Sequence, residues 1–257
     1  MHIGFSTGSL ALGDFRTAIE MVRGSAADVV ELSALRENEL GNLIDALDTL
    51  DLGQFQYVSF HAPSKLRLYT ELQLVECLQV VARFGFPIIV HPDIIHDPAP
   101  WRVLGNLLCI ENMDKRKPIG RTVADLEQFF TYLPEASFCL DLAHARQVDP
   151  TMTEAFMMIK KFGNRLVQLH VSDVNATSVH EPLNFEALLA FCKIGKYIDP
   201  ETPIVLESPV RKEGIKMELK AASLIFNSQA FEDFLGEYGL LINKETNRIW
   251  GREIQGV

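Results

Sequence analysis

The sequence predicts an α/β protein with a single domain, a (β/α)8 TIM barrel. Short apolar runs are centred near residues 4, 29, 58, 89, 109, 139, 168 and 205. Most intervals are about 30 residues, the length of one strand with one crossover helix. The runs at 87–90 and 203–206 are apolar without alternation, as expected for strands that are covered on both faces. Eight such units fill a chain of 257 residues, which suits a barrel of this type.

Helical patterns lie between the predicted strands. Apolar residues recur at helical spacing over 15–22, 74–82 and 126–133, each after a residue that caps helices: Asp14, Thr70 or Thr122. The interval between the fourth and fifth strands is only about 20 residues, so we expect a short helix near 101–104. A doubly wound open sheet is the alternative. It would carry a glycine-rich turn after its first strand, and residues 6–9 (Ser-Thr-Gly-Ser) do not form one.

The composition limits the function classes. We interpret 1–257 as one domain, with a barrel core at about 1–236 and a C-terminal tail at 237–257.

A net charge of −10 argues against a broad nucleic-acid footprint or an anionic membrane surface. No apolar run approaches the ~18 residues of a membrane span. The four cysteines show no C-x-x-C pairing and the N-terminus does not resemble a signal peptide, so we expect a cytoplasmic protein.

The predicted strands all end on polar residues, and most of these are metal-ligand types. The endings are Ser6, Glu31, His61, His91, Glu111, Asp141, His170 and Glu207. Strand C-termini converge on one mouth in such barrels, so these side chains are expected to meet there. His144 and His180 follow the sixth and seventh strands and join the set. Mixed imidazole and carboxylate ligands suit Zn²⁺ or Mn²⁺ better than Ca²⁺ or Mg²⁺.

The candidates differ in their expected roles. Metal binding is predicted for Glu111, Asp141, His170 and Glu207. For His61, His91, His144 and His180 the alternatives to metal ligation are support of a ligand or a hydrogen bond to substrate. Glu31, Lys65, Lys115 and Arg211 are candidates for substrate binding, and Asp173 is expected to orient a ligand. The basic residues sit among acidic ones, so a solvated loop face competes with a phosphate-sized anion site.

Six short motifs resemble the xylose isomerase-like barrel superfamily, which contains sugar isomerases, epimerases and endonuclease IV-type abasic-site (AP) endonucleases. In chain order they are 60–63 (Phe-His-Ala-Pro), 90–92 (Val-His-Pro), 110–112 (Ile-Glu-Asn), 139–144 (Cys-Leu-Asp-Leu-Ala-His), 169–173 (Leu-His-Val-Ser-Asp) and 205–209 (Val-Leu-Glu-Ser-Pro). The resemblance spans roughly residues 1–210. It implies that Glu111, Asp141, His170 and Glu207 hold the metal shared across the group.

The endonuclease branch implies further ions. Residues matching His61, His91 and Glu111 hold a second metal there, with the glutamate bridging. Residues matching His144 and a later Asp-x-His hold a third, and here that motif reads Ser178-Val179-His180, with serine in place of the aspartate. The expected cofactor is therefore one to three divalent ions, Zn²⁺ or Mn²⁺.

Three functions remain open. The first is a sugar or sugar-phosphate isomerase or epimerase, in which a divalent ion chelates adjacent oxygens and Glu111 and Glu207 transfer the proton. The second is an AP endonuclease or other phosphodiesterase, and the third is a non-catalytic metal-binding barrel. The isomerase is favoured, because Glu31 resembles that branch and residues 62–65 (Ala-Pro-Ser-Lys) lack an aromatic wedge for opening a duplex. The expected partner is a small carbohydrate, with DNA a partner only for the second function, no membrane partner, and a homo-oligomer left open.

Overall fold

Eight parallel strands close into a barrel in the computed structural model, which describes residues 1–227, 230, 231 and 233, and the backbone of 240–243 and 248–251. Each barrel strand pairs with its neighbours in the chain, and the first strand closes the ring by pairing with the second and the last. The barrel strands are β1 (Ile3–Ser6), β2 (Val29–Ser33), β3 (Tyr57–His61), β4 (Ile88–Val90), β5 (Leu108–Glu111), β6 (Ser137–Asp141), β7 (Leu166–Val171) and β10 (Ile204–Leu206). The predicted (β/α)8 barrel is therefore confirmed.

Helices form the outer layer, as the apolar spacing predicted. They are α1 (Thr7–Ala11), α2 (Phe15–Val22), α3 (Glu37–Ala46), α4 (Glu71–Ala82), α5 (Pro98–Trp101), α6 (Val123–Tyr132), α7 (Leu142–Val148), α8 (Thr153–Phe162), α9 (Phe185–Gly195) and α10 (Ile215–Ser223). The predicted caps are present, because the side chains of Asp14, Thr70 and Thr122 accept hydrogen bonds from backbone N–H groups of α2, α4 and α6. The short crossover after β4 contains the four residues of α5 and a 3₁₀ segment at Arg102–Leu107.

The strand ends agree with the sequence to within two residues. β3, β5 and β6 end at the predicted His61, Glu111 and Asp141. β2 and β7 extend beyond Glu31 and His170, because Leu32, Ser33 and Val171 still pair with the neighbouring strands. The strand-end side chains thus lie at one end of the barrel, as predicted.

The main core lies between the strands and the helices. Its fully buried side chains include Phe60, Trp101, Phe138 and Phe191. Inside the barrel, Ile89, Cys109 and Cys139 form a much smaller apolar cluster. Gly4 allows β1 to approach β2, since a Cβ atom there would lie 1.7 Å from the carbonyl oxygen of Val29.

Two small antiparallel sheets lie apart from the barrel. β8 (Asp173–Val174) pairs with β9 (His180–Glu181) in the loop after β7, and β11 (Leu240–Asn243) pairs with β12 (Arg248–Gly251) in the predicted tail. All four cysteines are free. Within the described part of the chain, no helix has the length and apolar character needed to cross a membrane.

Candidate metal centre

Glu111 stands at the centre of the strand-end cluster, at the end of β5. One carboxylate oxygen, Oε2, lies 3.3 Å from Nε2 of both His61 and His91. The other oxygen, Oε1, lies 3.4 Å from Nδ1 of His170 and 3.3 Å from Nδ1 of His144. A single buried carboxylate therefore faces histidines on both of its sides.

Three overlapping groups of ligand atoms meet here. Within each group all ligand atoms lie within 4.8 Å of one another. The first group is His61, His91 and Glu111, and the second is Glu111, Asp141, His170 and Glu207. The third is Glu31, His61, His170 and Glu207. Glu111 belongs to the first two groups. The structure thus brings together the four residues predicted to hold the shared metal, and beside them the two histidines of strands three and four.

The atoms in these groups fit a divalent cation. Asp141 Oδ2, His170 Nδ1 and Glu207 Oε2 are buried and have no hydrogen-bond partner. Buried polar atoms are almost always paired, so three unpaired ones in one ligand group indicate a site for a cation that attracts their lone pairs. Oxygen and nitrogen donors in this mixture suit Zn²⁺ or Mn²⁺.

The ring of His61 is oriented for ligation. Its Nδ1 lies 2.7 Å from the carbonyl oxygen of Ala62, an acceptor only, so Nδ1 carries the proton and donates it. In the neutral ring, Nε2 then presents its lone pair towards Glu111 Oε2. Two lone-pair atoms that face each other in a buried site repel, so either a proton on Nε2 or a metal ion must be shared by them.

Asp141 is fixed by Asn112, a residue in the fifth-strand motif that was not among the predicted site residues. The Asn112 Nδ2 group donates to the Asp141 carbonyl at 2.9 Å, and the Asp141 N–H donates to Asn112 Oδ1 at 2.7 Å. The Asp141 side chain also accepts from the His144 N–H at 2.7 Å, as the N-cap of α7. Only Oδ2 of Asp141 remains for a metal.

Close packing of charges shifts the pKa values in the metal-free site. Burial raises the pKa of Asp141 to about 7 and also raises that of Glu207. Burial acts in the same direction on Glu111, but positive charge on His170 and His144 holds its pKa well below the usual value. Without a metal, protonated histidines supply the positive charge that the carboxylates require.

His144 and His180 lie next to the centre but belong to none of the three ligand groups found among the described residues. Their ring centroids are 5.6 Å apart. Ser178, which replaces the aspartate of the resembling motif, donates to Gln147 Oε1 at 2.6 Å. The third site that the resemblance implies, with His144 and His180 as ligands, is therefore not formed among the described residues.

Other predicted residues have different surroundings. Asp173 does not contact a ligand among the described hydrogen bonds: it accepts from Arg146 at 2.7 Å and from Asn184, and so ties the β7 loop to α7 and α9. Ser172, its neighbour, contacts a site histidine instead, with Oγ 2.8 Å from Nδ1 of His180.

A cavity of about 370 Å³ opens above the centre. Among the described residues its lining includes Glu111, Glu207, His180 and Lys65, but not Lys115, Arg211 or Glu31. Lys115 and Arg211 are exposed on the surrounding loops, so their long side chains are free to point away from the cavity. Glu31 is fully buried, and its Oε2 lies 2.9 Å from His170 Nε2.

Two pairs of residues outside the predicted site set lie in or near the cavity. Arg116 and Lys117 line it, but Arg116 pairs with Asp114 at 2.9 Å and Lys117 with Asp93 at 2.6 Å. Gln168 and Tyr57 lie below the centre and are hydrogen-bonded to each other. The strand pattern could have predicted these two, because residues separated by two or four positions share a face of a strand. Gln168 stands two residues before His170 on β7, and Tyr57 stands four residues before His61 on β3.

Solved structures with the same barrel include proteins of different activities. Endonuclease IV from Thermus thermophilus has a TM-score of 0.56 at 15% identity, covering 89% of this chain and 100% of that one. A protein described as a sugar phosphate isomerase/epimerase from Anabaena variabilis has a TM-score of 0.51 at 17% identity, covering 85% and 87%. For SacUVDE the TM-score is 0.50 at 13% identity, with 82% and 84% covered. The resemblance to xylose isomerase-like barrels is thereby confirmed at the level of the fold. Neither a family model nor a curated protein sequence matches this chain.

Proposed function

We propose that this protein is a divalent-metal-dependent hydrolase that cleaves a phosphate ester of a small molecule with two metal ions. The observation that carries the proposal is the position of Glu111, whose two oxygens face two different groups of ligand atoms. A carboxylate shared between two ions is typical of enzymes that perform an in-line displacement at phosphorus. The sequence favoured an isomerase, which needs only one ion. The two ligand groups that share Glu111 favour the hydrolase instead.

Each ion would have its own set of residues. His61, His91 and Glu111 would hold the first, and Glu111, Asp141, His170 and Glu207 would hold the second. When bound, such ions act as Lewis acids on phosphoryl oxygens and lower the pKa of water. The protein's own contribution is to fix the ligands from six different strands, so that the bridging carboxylate faces both ligand groups.

The cavity supports a small substrate. Its volume of about 370 Å³ lies within the range of small-molecule sites. Of the three cations in its lining, Arg116 and Lys117 are paired with carboxylates and Lys65 has no ion pair among the described residues. One unpaired lysine suits one phosphate group, whereas a nucleic-acid duplex requires a broad basic surface. Leu12, Leu35 and Val179 give the cavity apolar walls, so the substrate would also carry apolar atoms.

Metal stoichiometry tests the two-ion centre. We expect two zinc or manganese ions per chain by elemental analysis of protein purified without chelator or His-tag. His91→Ala should lower the content to one, because it removes a ligand of the first ion only. His96→Ala is the matched control, since His96 is exposed and lies outside the ligand groups. One ion in the unaltered protein, with no change in His91→Ala, would contradict the two-ion centre.

Activity tests the reaction class. We expect the metal-loaded protein to hydrolyse p-nitrophenyl phosphate or bis-p-nitrophenyl phosphate, and His91→Ala to lower kcat by about 10²-fold or more, since a whole metal's Lewis acidity is lost. Lys65→Ala should raise KM for these substrates with a smaller effect on kcat. A chain with two bound ions and no hydrolysis of either ester would remove the hydrolase proposal.

The second candidate is a sugar or sugar-phosphate isomerase or epimerase. It is favoured by one observation: Glu111 and Glu207 line the same cavity, and their pKa values are shifted in opposite directions. One carboxyl group that holds a proton and one that accepts a proton would serve as acid and base. For this reaction we expect solvent deuterium to enter the substrate beside its carbonyl group, and Glu207→Gln to abolish the incorporation. Full incorporation in Glu207→Gln would exclude that glutamate from proton transfer.

A further inference from the structure

A chain of polar side chains runs inside the barrel below the metal centre. It begins at Tyr57 on β3, continues through Gln168 on β7 to Glu31 on β2, and ends at His170. Gln168, Glu31 and His170 are each fully buried. Polar side chains in a closed barrel interior reduce stability unless all their hydrogen bonds are made, so the bonds in this chain have defined directions.

The first bond fixes the amide of Gln168. The Tyr57 hydroxyl donates to Gln168 Oε1 at 2.9 Å. The amide nitrogen of Gln168 must then point the other way, and it donates to Glu31 Oε2 at 2.9 Å. The same nitrogen also lies 2.8 Å from His170 Nε2 and 3.7 Å from Cys139 Sγ, so Gln168 contacts the metal-ligand histidine directly as well as through Glu31.

The second step fixes the charge on Glu31. Three groups converge on its Oε2 atom: Ser59 Oγ at 3.2 Å, Gln168 Nε2 at 2.9 Å and His170 Nε2 at 2.9 Å. Ser59 and Gln168 both donate to this oxygen, and hydrogen bonds of this kind favour the charged carboxylate of Glu31. A carboxylate oxygen 2.9 Å from His170 Nε2 would repel a lone pair on that nitrogen and attract a hydrogen. His170 must therefore carry its hydrogen on Nε2.

The last step reaches the metal centre. With the hydrogen on Nε2, the neutral imidazole of His170 keeps its lone pair on Nδ1. That atom has no hydrogen-bond partner and lies 3.4 Å from Glu111 and 3.6 Å from Glu207. The interior chain thus selects which nitrogen of His170 faces the ligand group.

We propose that Tyr57 and Gln168 are positioning residues for the metal centre, which act through Glu31 to fix the tautomer and ring orientation of His170. The inference rests on the metal centre proposed above but not on the reaction, because His170 belongs to the ligand group of either candidate function. Outer partners of ligating histidines typically change metal affinity by about 10- to 100-fold when they are removed. Tyr57 is the most remote member of the chain and reaches His170 through Gln168, which contacts both Glu31 and His170.

Zinc affinity is the first test. We expect Gln168→Leu to raise the zinc dissociation constant by about 10- to 100-fold, and Tyr57→Phe to raise it by a smaller factor, in competition titrations with a chromophoric chelator. Cys109→Ala is the matched control, because Cys109 lies in the same barrel interior and takes no part in the chain. Tyr57→Phe removes one oxygen atom and keeps the ring, so it remains informative if Gln168→Leu does not fold.

The tautomer of His170 is a readout that a purely structural role would not change. In ¹⁵N-histidine-labelled, zinc-loaded protein we expect a proton on Nε2 and none on Nδ1 of His170, with a mixed or altered signal in Gln168→Leu. Unchanged zinc affinity and an unchanged His170 signal in both variants would overturn the positioning role while leaving the metal centre intact. A wild-type chain that binds no zinc would overturn both proposals.

Discussion

At the scale of single residues, the centre is a balance of buried charges. Glu31, Glu111, Asp141 and Glu207 bring four buried carboxyl groups close together. The neighbouring histidines balance this charge. Burial lowers the pKa of His170, but nearby Cys139, Glu31 and Glu207 raise it well above the usual value. The pKa of His61 is also raised, since Glu111 and Glu31 outweigh the effect of its burial. In the metal-free chain the imidazolium groups occupy the electrostatic role of the ions.

Metal binding should therefore release protons. Because the pKa values of His61 and His170 are raised, both rings hold a second proton to higher pH than a free imidazole does, and a ring must lose that proton to ligate. We expect zinc affinity to rise with pH through the neutral range, and more than one proton to be released per chain at pH 7. Calorimetric titrations in buffers of different ionisation enthalpy measure this number directly. Binding enthalpies that do not depend on the buffer would contradict the protonated metal-free site.

At the scale of elements, glutamates near helix N-termini hold the neighbouring loops in place. Glu37, the first residue of α3, accepts from the backbone N–H groups of residues 67, 68 and 69 at 2.8–3.0 Å. Glu71, the first residue of α4, accepts from His96 and Asp97 N–H groups and from the Trp101 indole. Each carboxylate thus links one β/α unit to the loop of the next unit. Lys65 stands in the loop that Glu37 holds, so the position of this mouth lysine depends on a helix of a different unit.

Glu37→Gln should therefore loosen that loop. An amide presents only one acceptor oxygen, and its NH₂ group would face N–H donors, so we expect a loss of about 2 kcal/mol in the free energy of unfolding. For a domain of this size that lowers Tm by roughly 4–8 °C. Glu127→Gln is the control, because Glu127 makes an exposed pair with Lys161 that contributes little. Equal Tm values for the two variants would exclude the anchoring role.

The contribution of Glu37 should also depend on pH. Burial acts to raise its pKa, but the N–H groups of Tyr69, Arg67 and Leu68 lower it below its ordinary value of 4.5. A lowered native pKa means that the stabilisation is complete above about 4.5 and is lost as the pH falls through the native value. The stability difference between the wild type and Glu37→Gln should therefore shrink below pH 4 in urea titrations. A difference that is constant down to pH 3 would contradict a charged Glu37.

The same elements show how far the sequence could predict the structure. Strand positions and their polar ends followed from apolar runs and strand–helix spacing, which are local features. The partnership of Glu31 with His170 did not, because these residues are separated by 139 positions and meet only across the closed barrel. The directions of Lys115 and Arg211 were equally hidden, since loop conformation decides where a long exposed side chain points. For Asp173, its place in a motif suggested support of a ligand, but competition from Arg146 decided its contact.

At the scale of the whole molecule, metal binding is coupled to closure of the barrel. His61, His91, Glu111, Asp141, His170 and Glu207 come from six different β/α units, so their ligand groups exist only when the ring is closed. An ion held by these residues binds the native state and not the unfolded chain. Its binding free energy therefore adds to the stability of the closed barrel.

Removal of the metal should therefore lower the thermal stability without unfolding the protein at room temperature. At free zinc of 100 times the dissociation constant, each bound site adds about 2.7 kcal/mol, which for a domain of this size raises Tm by roughly 5–10 °C. We expect chelation with EDTA to lower Tm by that amount per ion and excess zinc to restore it, in thermal scans followed by circular dichroism. His91→Ala should lose about half of the zinc-dependent increment, because one of two sites is removed, whereas the exposed His96→Ala should keep all of it. The metal-free barrel should remain folded at room temperature, since its imidazolium groups balance the carboxylates. If chelation left Tm unchanged in a protein shown to contain zinc, the ions would lie outside the strand-end cluster.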